Sequence, residues 1–153
     1  MIVNALSFFG SIIGYFTGKF TEEELKSGRI YFEILKIAVL TLLTLFIFLK
    51  NFNLLLLTIG IILGFILRYE YFYFGVLLTQ NLNFLNAGLV FLYGLPYGTL
   101  AFHKKSFKTL FYSAVFFSIG SLAVFFDYNL MSFAAGGMIS VLAFNIISLN
   151  RIM

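Results

Sequence analysis

From Leu54 to Leu67 the chain runs without a charged residue, and five further apolar runs are set apart from this one only by short polar stretches. In hydrocarbon every backbone N–H and C=O must find its partner within the protein, which leaves helices or a closed barrel as the spanning structures. A barrel strand alternates lipid-facing apolar and lumen-facing polar residues. These runs show no such alternation, so they are read as helices. Hydrophobic residues make up 61% of the chain and charged ones 10%, against roughly 25% charged in soluble domains. No soluble fold of this length hides that much apolar surface.

A spanning helix takes about 20 apolar residues, and polar punctuation divides the chain into six spans: 2–18, 30–49, 54–75, 85–102, 109–126 and 130–149. The expected fold is an all-α integral membrane bundle forming one polytopic domain over residues 1–153. Ile2 to Phe16 stands where a signal peptide would, but no Lys or Arg precedes it and no small-x-small site follows, so it is read as a retained span. The connections are short enough to force antiparallel neighbours. The longest runs from Lys19 to Arg29, where Thr21 and Glu24 have capping-box spacing. A surface helix is expected to start at Glu22 and turn into the second span near Gly28.

With six spans, Lys50, Lys104, Lys105, Lys108 and Arg151 share one face, and Lys19, Lys26 and Arg29 the other. The excess of Lys and Arg on cytoplasmic loops then favours both termini inside a cell membrane. The basic residues suit contact with anionic lipid rather than nucleic acid. Trp is absent, so tyrosines must supply the interfacial belt, and Tyr69, Tyr71 and Tyr73 cluster where one would lie. The chain has no Cys, which removes disulfides and thiolate chemistry. Abundant Ile, Phe, Lys and Asn suit an AT-rich prokaryotic genome.

Comparison of the two halves suggests an internal repeat over units 2–75 and 85–149. Asn4-Ala5 opens one and Asn86-Ala87 the other, and an aromatic residue precedes GxxxG in both, at Gly10 and Gly14 and at Gly94 and Gly98. Units of three spans would enter the membrane in opposite senses, the inverted arrangement of many transporters. The alternative is chance similarity between two halves rich in Phe, Leu, Gly and Ile.

Small residues let helices approach closely in lipid, where burying apolar area gains little. Gly10, Gly14 and Gly18 form such a stripe, and Gly60xxxGly64, Ala114xxxSer118 and Gly136xxxSer140 repeat the spacing. The stripes of spans one and four either pack within the bundle, mediate dimerisation or frame a substrate path, with Asn4 and Asn86 as equivalent polar positions. Pro96, the sole proline, predicts a kink or break in the fourth span. Within spans an ionisable side chain is costly and points to function. Glu33 and Lys36 can pair three residues apart; Arg68 and Glu70 end the third run as an interfacial anchor, or Arg68 holds an anionic substrate or pairs across the bundle with Glu33. Gln80, Asn81, Asn83 and Asn145 are further polar candidates for a path. His103 is the only histidine and adjoins Lys104 and Lys105. No catalytic triad, metal-binding pattern or cofactor motif is present, so no metal or cofactor is expected. Together these features favour a small transporter or channel for a solute or ion. A non-catalytic scaffold within a larger membrane complex, or a lipid-modifying enzyme using Glu33 or His103, are the alternatives; the partners expected are the bilayer and a homodimer or larger assembly.

Overall fold

The computed structural model describes residues 2–49, 53–80, 83–126 and 128–150, and among them it is entirely helical. The helices are α1 (Ile2–Phe20), α2 (Glu22–Phe48), α3 (Leu54–Ile66), α4 (Glu70–Gln80), α5 (Phe84–His103), α6 (Phe107–Ser121, extended by a 3-10 turn Leu122–Phe125) and α7 (Met131–Asn150). Four stretches are long and apolar enough to cross a membrane: Gly28–Phe48, Phe84–His103, Phe107–Phe125 and Met131–Asn150. This is the architecture of a multi-pass membrane protein. Polar turns start the helices, as the Asn53 Oδ1 accepts from Leu55 and Leu56 N–H at 3.1 and 3.3 Å and Asn129 accepts from Met131.

The expected surface helix does begin at Glu22, but it continues unbroken through Gly28 to Phe48. The capping box does not form. Thr21 lies within one turn of the end of α1, where open carbonyls compete for its hydroxyl, and it donates to Thr17 O at 3.0 Å instead. The fifth helix likewise runs on through Pro96.

The break falls elsewhere. The single span expected over 54–75 is two helices, α3 and α4, separated by Leu67-Arg68-Tyr69. Contacts with neighbours give their directions. Asn53 N–H donates to Ser132 Oγ, Ser140 Oγ donates to Ile61 O, and Arg68 lies over Phe144, so α3 and α7 run parallel. Tyr71 packs on Tyr97 and Phe74 on Tyr93, so α4 runs antiparallel to α5. Val76 and Leu130 share one cavity wall while Tyr73 meets Phe133 and Gly137, so α4 is antiparallel to α7 as well. The chain therefore reverses at 67–69, and α4 returns into the core with Tyr71, Tyr73, Phe74, Gly75, Val76, Leu77 and Leu78 all buried. The tyrosine belt is corrected accordingly: Tyr71 and Tyr73 are core residues, and Tyr69 alone of the three is exposed.

Three glycine contacts join parallel helices. A Cβ on Gly14 would overlap the Leu95 carbonyl and one on Gly98 the Ser11 carbonyl, across α1 and α5. The same reciprocal fit joins Gly60 to Phe133 and Gly136 to Leu57 across α3 and α7, and Gly75 to Phe117 and Gly120 to Phe72 across α4 and α6. Thr99 Oγ1 spans the first contact by donating to Gly14 O at 3.1 Å. The fit explains why the sequence places glycine here, since backbones at this distance leave no volume for a side chain. On α6 the expected Ala114 and Ser118 line faces outward, with Ser118 exposed, and Gly120 makes the contact.

Helices at equivalent positions of inverted units run antiparallel. Here α1 and α5 run parallel, as do α3 and α7, so these pairs do not show the inverted relation. Substituting Gly14→Leu or Gly98→Leu is expected to destabilise the fold by about 1–3 kcal/mol or more, read as a lower unfolding temperature in detergent, whereas Gly88→Leu, with nothing within 4 Å of its Cβ position, should unfold as the wild type does.

Candidate polar site between α2, α5 and α6

Helix directions bring the end of α1, the start of α2, the α5–α6 turn and the end of α7 to one end of the bundle. Lys19, Lys26, Arg29, His103, Lys104, Lys105 and Lys108 all belong to that end, while the described residues at the opposite end include no charged residue. The fourth-loop lysines are therefore not opposed to those of the first loop, as six spans would require. Lys50 and Arg151 fall outside the described residues.

One turn of α2 places Glu33 and Lys36 on the same face, three residues apart. Lys36 Nζ lies 2.9 Å from Glu33 Oε2, with the side chains only 10% and 8% exposed. They line a cavity of about 50 Å³ together with Tyr97, Leu100, Ala101, Lys104 and Thr109. The Ser113 hydroxyl donates to Thr109 O at 2.9 Å, which commits its one proton. Tyr97 is therefore the donor in its 2.6 Å bond with Ser113 Oγ, and its lone pairs stay free to accept from the cavity side. With two lysines against one glutamate, the wall carries a net positive charge and both donors and acceptors. Such a space suits a small polar solute or ion.

Beneath Tyr97, α4 and α5 contribute a cluster of tyrosines. The Tyr71 and Tyr97 ring centroids are 5.0 Å apart, Tyr93 and Tyr97 6.0 Å, and Tyr71 and Tyr93 6.2 Å. Phe8, Phe74 and Phe117 close around them. The buried hydroxyls of Tyr71 and Tyr93 have no hydrogen-bond partner. Ser11 stands beside the first and Glu70 beside the second.

The residues singled out in sequence are thus dispersed. Gly10, Gly14, Gly18, Gly94 and Gly98 hold α1 against α5 at backbone distance, which is a packing contact with no passage between the helices. Pro96 is buried in the same helix. Asn86 is fully buried, and Asn4 lies in the first turn of α1, its side chain outside the described residues. Arg68 does not reach Glu33, being turned over the Phe144 ring at 4.0 Å. Gln80 donates to Ala123 O near the opposite end and Asn83 is exposed there; Asn145 is partly buried on α7, and Asn81 is outside the described residues. Glu33 and Lys36 come together with further polar groups around a cavity, and Glu70 lies beside Tyr93. Sequence reasoning placed Tyr71 in an interfacial belt and gave Tyr93, Tyr97 and Ser113 no role in a site. The signal was present in part: Tyr93 and Tyr97 stand four apart, each one residue before a glycine of the packing stripe.

No family model matches the chain, and neither a curated protein nor a solved structure matches it. Lys36→Met would leave Glu33 buried without its partner, at an expected cost of about 3–5 kcal/mol. The double variant Glu33→Gln with Lys36→Met should recover most of that loss, as compared by thermal unfolding of the three proteins in one detergent.

Proposed function

We propose that this chain is a small transporter of the cell membrane, moving a small polar solute or ion through the Glu33–Lys36 cavity. The buried ion pair carries the reading. Two charges brought out of water cost several kcal/mol each before their attraction is counted, and apolar residues of similar size often serve stability as well. Their retention beside a cavity, with a tyrosine oxygen free to accept, suits a site that must bind and release a polar guest. In the proposed arrangement α3 and α4, about 20 and 16 Å long from 13 and 11 residues, are too short to cross 30 Å of hydrocarbon separately. They form a re-entrant hairpin with its tip toward the cation-rich end. Their turn is non-helical backbone, which membrane depth tolerates only when buried in protein or facing a cavity.

Purified protein in liposomes should release trapped chloride, phosphate or protons faster than protein-free vesicles. Glu33→Gln and Lys36→Met should each cut that flux more than ten-fold, the equivalent of about 1.4 kcal/mol or more, with the double variant keeping the fold but not the flux. Absence of flux, together with a stoichiometric membrane partner retained through purification, would favour the accessory-subunit reading instead.

The gathering of cations at one end supports an orientation with that end in the cytoplasm, the start of α1 outside and the end of α7 inside. This differs from the placement of both termini inside, because the reversal at 67–69 changes the number of times the chain turns. Since the protein has no Cys, single cysteines report orientation without background. Lys105→Cys should react with an impermeant maleimide only after cells are opened, and Phe84→Cys, 90% exposed at the other end, in intact cells.

A further inference from the structure

Donors and acceptors around the Glu33–Lys36 cavity are not balanced. Thr109 Oγ1 donates to Ser106 Oγ at 2.7 Å and Tyr97 gives its proton to Ser113, so neither hydroxyl keeps a hydrogen for a guest. The side-chain donors left on the wall are the ammonium groups of Lys36 and Lys104. Lys36 has three N–H bonds, of which the 2.9 Å contact with Glu33 takes one. Lys104 is exposed, and the one ion pair among the described residues is that of Glu33 with Lys36. Four residues before Glu33 stands Arg29, about 6 Å along the axis toward the cation-rich end. The spacing puts it on the face of α2 where Leu25, Glu33, Lys36 and Leu40 are buried. Arg29 is half-buried, and its Nε is enclosed with no hydrogen-bond partner.

An enclosed N–H without an acceptor carries the full cost of its desolvation, more so on a charged group. A guanidinium has donors only, so what it lacks is an acceptor. Arg29, Lys36 and Lys104 set three positive charges against the one carboxylate of Glu33, and that excess selects a negative guest. A cation would have to displace Lys36 from Glu33 with two further positive charges nearby. The donors come from two helices, α2 and α5, so a guest with two acceptor oxygens can meet both, and charge-assisted bonds of this kind are the strong ones. Volume limits its size. At roughly 10–15 Å³ for each water-sized group, the cavity of about 50 Å³ takes a guest no larger than formate or acetate.

We infer that the cavity binds a small carboxylate-type oxyanion, which takes Lys36 over from Glu33 and is held by Arg29 and Lys104 on the cation-rich side. Glu33 competes with the guest for Lys36 and so keeps it exchangeable. That the anion is also carried across the membrane rests on the transporter reading, whereas the binding site does not. Full-length protein in a non-ionic detergent would be unfolded thermally in sodium formate or acetate against sodium gluconate, a carboxylate too large for the cavity, at one sodium concentration, with sodium chloride as the halide arm. Formate and acetate should raise the unfolding temperature relative to gluconate. Arg29→Gln should raise the formate concentration needed for half the shift about ten-fold and Lys104→Gln about three-fold. Lys19→Gln, the same change of charge on an exposed part of α1, should leave it unchanged. Glu33→Gln should unfold earlier than the wild type in gluconate and gain more from formate, since Lys36 then lacks its internal partner. A wild type that does not distinguish formate from gluconate, a response to chloride with none to formate, or an Arg29→Gln protein that responds as Lys19→Gln does would overturn the site. If the Arg29-dependent shift is present but liposomes pass no formate, the anion site stands and the transporter reading falls. Flux of protons or another ion that depends on Glu33 and Lys36, without any formate shift, would instead keep the transporter reading and end the anion site.

Discussion

The need of every backbone polar group for a partner governs the most consequential part of this structure, the three residues Leu67-Arg68-Tyr69. A helix that ends within a bundle leaves carbonyls open that neither lipid nor distant water can satisfy. Here the last N–H of the α3 ladder, on Leu67, still donates to Leu63 O at 2.6 Å. The Leu67 carbonyl beyond it takes the Tyr73 hydroxyl at 3.2 Å, and Tyr69 O accepts from Phe72 N–H as the next helix begins. With those bonds in place the chain can turn without a glycine or proline. Everything downstream depends on that turn, because one added reversal decides which helices run parallel and which loops share an end.

Parallel neighbours then permit the glycine contacts. Across each of the three pairs a glycine of one helix receives a carbonyl of the other, and the partner's glycine returns the fit. Close approach replaces the hydrophobic driving force that lipid does not supply. Ser140 Oγ donating to Ile61 O and Thr99 Oγ1 donating to Gly14 O add hydrogen bonds across two of the same interfaces. The remaining volume in the middle of the bundle is filled by aromatic rings, chiefly Tyr71, Tyr73, Phe74 and Tyr93, all nearly or fully buried. Tyrosine fills space as phenylalanine does but brings a hydroxyl that must be accommodated. A core built this way is polar at defined points only.

How much of this was legible in the sequence follows from what each signal measures. Apolar run length locates buried helices reliably, and the runs at 85–102, 109–126 and 130–149 became α5, α6 and α7 with small shifts at their ends. It does not register a reversal inside a run. The arms on either side of the turn are both apolar, and the turn's bonds come from Tyr73 and the backbone, not from a turn-forming residue. The polar pair Arg68 and Glu70 was the visible trace, read as an interfacial anchor since an anchor and an exposed turn use the same residues. Glycine spacing marked the contact faces of α1, α3, α5 and α7 and suggested the α1–α5 pairing, but which helix faces α3 was not in the pattern. It erred on α6, where Ala114 and Ser118 have the spacing but Gly120 has the neighbour. Glu33 and Lys36 were legible as a pair from helix periodicity alone, while the tyrosines beside them depend on α4 lying against α5, a relation no local pattern encodes.

Charge completes the logic that the turn begins. Six spans would divide the lysines and arginines between two faces; the observed directions leave no described lysine or arginine at the opposite end. Such separation puts the exposed Lys104 and the buried Glu33 and Lys36 on one cavity wall, so the positive potential of that end is strongest where the buried pair sits.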